Sequence, residues 1–168
     1  MGITITEVDP AEPGPDSVRV AALAREIWTQ HYSSLIGADQ VEYMLDRFQS
    51  PARIASDIAG GYRYWLAEDE GTPVAYCGAE PQSDALFMSK IYVALSHRGQ
   101  GLARRFVEIG EDVCRELGLA KMGLTVNKYN AGSIAAYEHL GFKIVGTQVA
   151  DIGSGYVMDD YIMEKVVE

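Results

Sequence analysis

From Leu86 to Gly118 a strand, a glycine-spaced turn and an amphipathic helix follow one another without a break. No other stretch constrains the fold as much. Leu86–Val93 is apolar and carries β-favouring Ile91, Tyr92 and Val93, the composition of a buried strand. Leu102, Phe106, Ile109, Val113 and Leu117 then recur at helical spacing, and Gly118 supplies a stop. Between them lies Arg98-Gly99-Gln100-Gly101-Leu102-Ala103. Small residues at 99, 101 and 103 let backbone N–H groups face a ligand where the helix begins. The positive end of the helix dipole adds to the attraction, so the turn suits a phosphate or pyrophosphate. Arg98 contributes a guanidinium with fork geometry for phosphate oxygens. A dinucleotide fingerprint would place glycine at 104, where the chain has Arg104, and the Gly-Lys-Ser/Thr of a nucleotide-triphosphate loop is absent.

The pattern that fits is Gln/Arg-x-x-Gly-x-Gly/Ala, met by Arg98, Gly101 and Ala103. It resembles the coenzyme A pyrophosphate loop of the GCN5-related N-acetyltransferase (GNAT) superfamily. A second stretch agrees with it. Met122–Val126 reads as a strand, and Asn130 is a good cap for the short helix that Gly141-Phe142 closes. The string NAGSIAAYEHLGF resembles the second signature of that superfamily, with its tyrosine at Tyr137. Taken alone, a helical tyrosine at this spacing is more often a core residue.

Elsewhere the punctuation predicts the order of elements. Ile3–Val8 reads as a strand, and Pro10, Pro13 and Pro15 as an irregular loop. Asp16 or Ser17 would cap a helix burying Val20, Leu23, Ala24, Ile27 and Trp28 and ending near His31-Tyr32. Asp39 would open a second helix, with Val41, Met44, Leu45 and Phe48 inward, and Ser50-Pro51 a third that ends at Gly60-Gly61. Tyr62–Glu68 and Val74–Glu80 form a hairpin signal; strands near Phe142–Ala150 and Tyr156–Val167 complete the chain. The expectation is an α+β (α/β) fold, a mixed and mostly antiparallel twisted sheet flanked by helices, in one domain over residues 1–168. That order matches the GNAT fold.

The chain has 168 residues and a net charge of −10, which argues against nucleic acid as a partner. Cys77 and Cys114 read as buried small residues of a reduced, cytoplasmic protein. No apolar run reaches membrane-spanning length and no signal segment is expected. The opening residues match the N-myristoylation pattern through Gly2 and Thr6, yet Ile3, Ile5 and Val8 read better as a strand. His31, His97 and His139 have no metal-ligand spacing, so no metal is expected.

The resemblance implies acetyl-coenzyme A as co-substrate and direct attack of a primary amine on its thioester. It implies that the backbone of Ile91 and Val93 receives the pantetheine arm, that Arg98, Gly99, Gln100, Gly101, Leu102 and Ala103 hold the pyrophosphate, and that Asn130 lies near the coenzyme. Tyr137 would protonate the leaving sulfur, as a phenol can at neutral pH. Some members of the superfamily carry a glutamate on the strand corresponding to Leu86–Val93, which here has no acidic residue. Glu80 on the preceding strand is the candidate base, acting through water; equally it ends a strand at the surface.

For the acceptor, Asp159 and Asp160 are adjacent on a strand, so their side chains point to opposite faces and one of them can face a groove. With YMLDRF and SKIYV, the tail DIGSGYVMDDYIMEK resembles polyamine N-acetyltransferases of the PaiA type. Spermidine or spermine needs spaced carboxylates, which Glu42, Asp159 and Asp160 would supply, joined by Asp39 and Asp46. Other small amines and peptide or protein N-termini are the alternative acceptors, and a non-catalytic acetyl-coenzyme A sensor is the alternative of another class. A homodimer is compatible with the same reading.

Overall fold

The computed structural model describes residues 2–168. A seven-stranded sheet runs in the order β1-β2-β3-β4-β5-β7-β6. Its strands are β1 (Ile3–Glu7), β2 (Arg63–Asp69), β3 (Thr72–Pro81), β4 (Ala85–Val93), β5 (Lys121–Asn127), β6 (Lys143–Gly153) and β7 (Tyr156–Val166). The helices are α1 (Gly14–His31), α2 (Ser33–Ile36), α3 (Ala38–Phe48), α4 (Pro51–Ala59), α5 (Leu102–Leu117) and α6 (Ala131–His139). β1–β2, β2–β3, β5–β7 and β6–β7 pair antiparallel, while β4 and β5 run parallel, with Ala85, Leu86 and Phe87 opposite Lys121, Met122 and Gly123. This is the mixed, mostly antiparallel α+β architecture the element order predicts.

The residues fall into two compact units. The first holds the chain up to Glu80 and Lys90–Phe106. Its helix α1 buries Val20, Leu23, Ala24, Ile27 and Trp28, the face its periodicity predicts. α3 buries Val41, Met44 and Leu45, but Phe48 is only half-buried, flanked by the Arg47 and Arg53 guanidinium groups, each 5.5 Å from its ring centre. Ser50 caps α4, its Oγ accepting from the Arg53 N–H at 3.2 Å.

The start of α1 departs from expectation. The helix opens at Gly14 with Pro15 in its first turn, and neither Asp16 nor Ser17 caps it. Ser17 Oγ instead donates to the Pro13 carbonyl at 2.6 Å. Proline is tolerated there because the first helical N–H groups have no partner inside the helix and its φ is already helical. α2 was not foreseen; four residues carry no periodicity.

The second unit holds Pro81–Ser89 and Val107–Glu168. Leu86, Val107, Met122, Phe142 and Met163 are fully buried in it. A glycine inside a helix costs about 1 kcal/mol relative to alanine, and Gly110 of α5 has a packing reason. A Cβ there would stand 2.8 Å from the Met122 sulfur and 3.0 Å from that of Met88, so the missing side chain lets α5 settle on the strands. Both cysteines are buried and unpaired.

Candidate active site

In the first unit β4 runs into a 3₁₀ turn, Leu95–His97, and then into Arg98-Gly99-Gln100-Gly101 before α5 begins. Gly99 and Gly101 have φ of +77° and +80°, a conformation that residues with a Cβ rarely adopt. A Cβ at either would meet no protein atom within 4 Å, so the space before the turn is open to a ligand. The Arg105 N–H closes the first helical bond on the Gly101 carbonyl at 3.0 Å, leaving earlier N–H groups of the helix start to point outward. Leu102 and Phe106 are buried and anchor this end of the helix. The geometry fits a diphosphate held by backbone donors at a helix start.

Arg98 is used differently from the sequence expectation. Its Nε donates to the Val93 carbonyl at 3.2 Å, and Nη1 lies 3.4 Å from His31 Nδ1. The guanidinium therefore ties the turn to the end of β4 and to α1, keeping part of its donor set for a ligand. His97 adds a second tie: Nε2 lies 2.7 Å from Asp69 Oδ2, and Nδ1 lies 2.7 Å from Ser96 Oγ. The sequence offered no signal for the His97–Asp69 or Arg98–His31 contact, because those partners are far apart in the chain.

Ile91 is buried and Val93 half-buried at the end of β4, and Tyr92 stands between them. Its ring lies 5.4 Å from Trp28, 5.3 Å from Tyr76 and 6.2 Å from Tyr32, and Trp28 and Tyr32 stack at 4.5 Å. This aromatic wall escaped sequence reading, since its members come from α1 and the residue that follows it, from β3 and from β4. Beside it, Lys90 is 8% exposed, with Nζ 5.4 Å from the Tyr62 ring centre and 5.6 Å from that of Tyr64. Burial pulls its pKa down to about 8, outweighing the opposing pull of the Asp57 carboxylate. Glu80 is half-buried near the end of β3. Glu42 is exposed on α3 and paired with Arg25, whose Nη1 lies 2.8 Å from Oε1, at a groove of about 470 Å³ that Glu26, Thr29 and Gln30 also line.

The second unit carries the other predicted residues. Asn130 is buried and caps α6 as foreseen, Oδ1 accepting from the Ser133 N–H at 3.3 Å. Its own N–H donates to the Asn127 carbonyl at 3.0 Å, which fixes the turn after β5. Tyr137 is half-buried on α6, its ring edge-on to Phe142 with centroids 5.8 Å apart. The Phe142 N–H closes on the Tyr137 carbonyl at 3.0 Å, so the Gly-Phe ending of the string locks the tyrosine's turn.

Asp159 and Asp160 do point opposite ways. Asp159 is half-exposed and lies 2.8 Å from Lys128 Nζ; Asp160 is 3% exposed. Burial, helped by the Asp159 charge and opposed by Lys128, lifts the Asp160 carboxyl to about 6. Among the described residues, no group of three or more His, Cys, Asp or Glu is placed to hold a metal ion, and no helix is long and apolar enough to cross a membrane.

The chain is similar to known proteins in sequence and fold. A profile of the Acetyltransferase (GNAT) family matches residues 21–142. The uncharacterized N-acetyltransferase YjgM of Escherichia coli K12 is 34% identical over 87 residues, 49% of this chain and 52% of that protein. N-acetyltransferase 8 of Rattus norvegicus is 26% identical over 140 residues, 77% of this chain and 57% of that protein. The chain thus spans little more than half the length of these curated relatives. Among solved structures, a PaiA N-acetyltransferase of Thermoplasma acidophilum in complex with coenzyme A superimposes with a TM-score of 0.82 at 18% identity, covering 99% of each chain. The ribosomal-protein-S18-alanine N-acetyltransferase of Escherichia coli gives 0.68 at 23% identity, over 99% of this chain and 95% of that one. The structural likenesses show the fold; with the profile spanning most of the sequence, they establish that this chain belongs to the acetyltransferase (GNAT) family.

Proposed function

We propose that the protein transfers the acetyl group of acetyl-coenzyme A to a primary amine by direct attack. The observation that carries this reading is the left-handed glycine pair at the start of α5, with open space where a side chain would stand. Arg98, Gly99, Gln100, Gly101, Leu102 and Ala103 hold the pyrophosphate, chiefly through backbone N–H groups. The backbone of Ile91 and Val93 receives the pantetheine arm, and Asn130 orders the turn that opens the helix bearing Tyr137. Acetyl-coenzyme A supplies the activated acyl group. Tyr137 donates a proton to the departing sulfur, its ring held in place by Phe142. Residues 1–168 form one acetyltransferase domain in this reading.

For the acceptor, a polyamine such as spermidine or spermine is supported by the net charge of −10 and by the fold likeness to a PaiA N-acetyltransferase. Two of the three carboxylates it would use are already paired, Glu42 with Arg25 and Asp159 with Lys128. A polycation must displace those partners, whereas a smaller amine need only meet the aromatic wall around Tyr92. The buried free thiols of Cys77 and Cys114 support a cytoplasmic setting. The exposed Ile144, Val145 and Val149 on edge strand β6 support a homodimer.

The deciding experiment measures coenzyme A thiol release from acetyl-coenzyme A with a panel of alkyl amines, polyamines and peptide N-termini. Amine-dependent release establishes the transferase. Tight binding of acetyl-coenzyme A without release for any amine would identify a sensor instead.

A further inference from the structure

An alkyl ammonium must lose a proton before its nitrogen can attack a thioester, so the reaction proposed above needs a proton acceptor. Glu80 is poorly placed for this. Tyr76 of β3 stacks on Tyr92 of β4, and Glu80 lies four residues further along β3, about 13 Å away at the rise of a strand. Its carboxylate acts on the buried Lys90 ammonium, whose pKa it helps to raise.

Asp160 has the properties Glu80 lacks. It lies directly opposite Asn127, the last residue of β5, and opposite Gln148 of β6. Residues paired this way share a sheet face, so the carboxylate sits between two uncharged amides. That end of β5 leads through Asn130 into the helix bearing Tyr137. In α/β sheets, ligands gather at the carboxyl ends of parallel strands. Asp160 is 3% exposed, yet its Oδ1 has no hydrogen-bond partner among the described residues. An unmet buried carboxylate oxygen is costly to keep, and in a structural residue an amide or an apolar side chain would serve better.

We propose that Asp160 is the group that takes the proton from the acceptor amine, so that one unit carries both proton-handling side chains, Asp160 and Tyr137. This rests on the acetyl-transfer reading. The ammonium gives one proton to the Asp160 carboxylate, which passes it to solvent. The freed nitrogen forms the C–N bond at the thioester carbonyl carbon. As the C–S bond breaks, the sulfur takes the Tyr137 phenolic proton, and the second N–H proton, lost on amide formation, restores the phenol. Amine, thioester and amide then balance with one proton released. The charged groups around Asp160 are the Asp159 carboxylate and the Lys128 ammonium; burial, reinforced by Asp159, outweighs Lys128 and lifts the carboxyl to about 6, ionised but still basic at neutral pH.

Asp160→Asn and Glu80→Gln test the assignment beside the wild type. Asp160→Asn should lower kcat for an alkyl amine about 10²–10³-fold at pH 7 with acetyl-coenzyme A affinity by calorimetry unchanged, and the lost rate should return as pH rises and the amine ionises unaided. Glu80→Gln should keep kcat within a few-fold. Asp160→Asn should also melt higher than the wild type at pH 8, an advantage that disappears by pH 4, where the native carboxyl is protonated. Wild-type turnover in Asp160→Asn, or a loss in Glu80→Gln that matches or exceeds it, overturns the proposal. So does a melting temperature that does not respond to Asp160→Asn at pH 8, since the carboxylate would then be solvated. Absence of thiol release from the wild type with every amine would instead remove the acetyl-transfer reading beneath it.

Discussion

The Lys128 ammonium lies 2.8 Å from the Asp159 carboxylate, directly after the strand end that faces Asp160. An acceptor with several ammonium groups would compete with Lys128 for Asp159. Lys128→Met should therefore lower the spermidine KM a few-fold and Asp159→Asn should raise it, with kcat moving less in both, because anchoring affects capture more than the chemical step. Raising ionic strength from about 0.01 M to about 0.15 M, which shortens screening from about 30 Å to about 8 Å, should raise the wild-type KM as well. A short monoamine should ignore all three changes. Steady-state kinetics that show spermidine equally indifferent would remove polyamines from the acceptor class.

Gly101→Val puts a branched side chain into the open space before α5 and forces a residue that avoids φ of +80° to adopt it. Affinity for acetyl-coenzyme A should fall at least about tenfold while far-UV circular dichroism stays near native, since no protein atom is crowded. Calorimetry showing unchanged affinity would remove this turn from the coenzyme site.

Tyr137→Phe keeps the ring against Phe142 and removes the phenolic proton. Turnover should drop about 10²–10⁴-fold with coenzyme affinity little changed. A variant with full turnover would leave Tyr137 as a packing residue only.

The Lys90 pKa, lowered from 10.5 to about 8, makes a claim about stability. Between those values the unfolded chain holds a proton that the native one has lost, so stability should rise with pH from about 8 to about 10.5. Below pH 8 both states carry the charge and the native state bears the full cost, at most about 3 kcal/mol, offset by about 1 kcal/mol from the two tyrosine rings. Lys90→Met should therefore be more stable than the wild type at pH 7 and lose that advantage by pH 10, as urea midpoints will show. A constant difference across the range would mean that Lys90 is hydrated in the native state.

Much of the fold was legible because local chemistry and tertiary structure agree. Ser50 and Asn130 cap helices where their side chains promised to, and the apolar face of α1 is the one its spacing selects. On α5 Leu102, Phe106 and Val113 are buried as expected, while Ile109 is half-buried and Leu117 at the helix end is exposed. What stayed hidden depends on partners distant in sequence. That Arg98 also reaches His31 could not be read, because His31 lies 67 residues away. The alternation of a strand shows that Asp159 and Asp160 diverge but not which one is buried, because that depends on what covers each face. Lys90 reads as an ordinary strand lysine; only the placement of Tyr62 and Tyr64 strips its water.

The strand order carries a consequence for synthesis. β7 is made after β6, yet it lies between β6 and β5. A ribosome that has released everything through β6 has delivered a β5 with one flank open and a β6 with nothing to pair on. When β7 emerges, Val166 reaches Lys121 and Glu164 reaches Lys143, closing both ladders at once. The sheet around Asp160 is thus completed late and through distant contacts, the slow kind of folding step. Until then β5 is the exposed edge that chaperones must guard against intermolecular pairing.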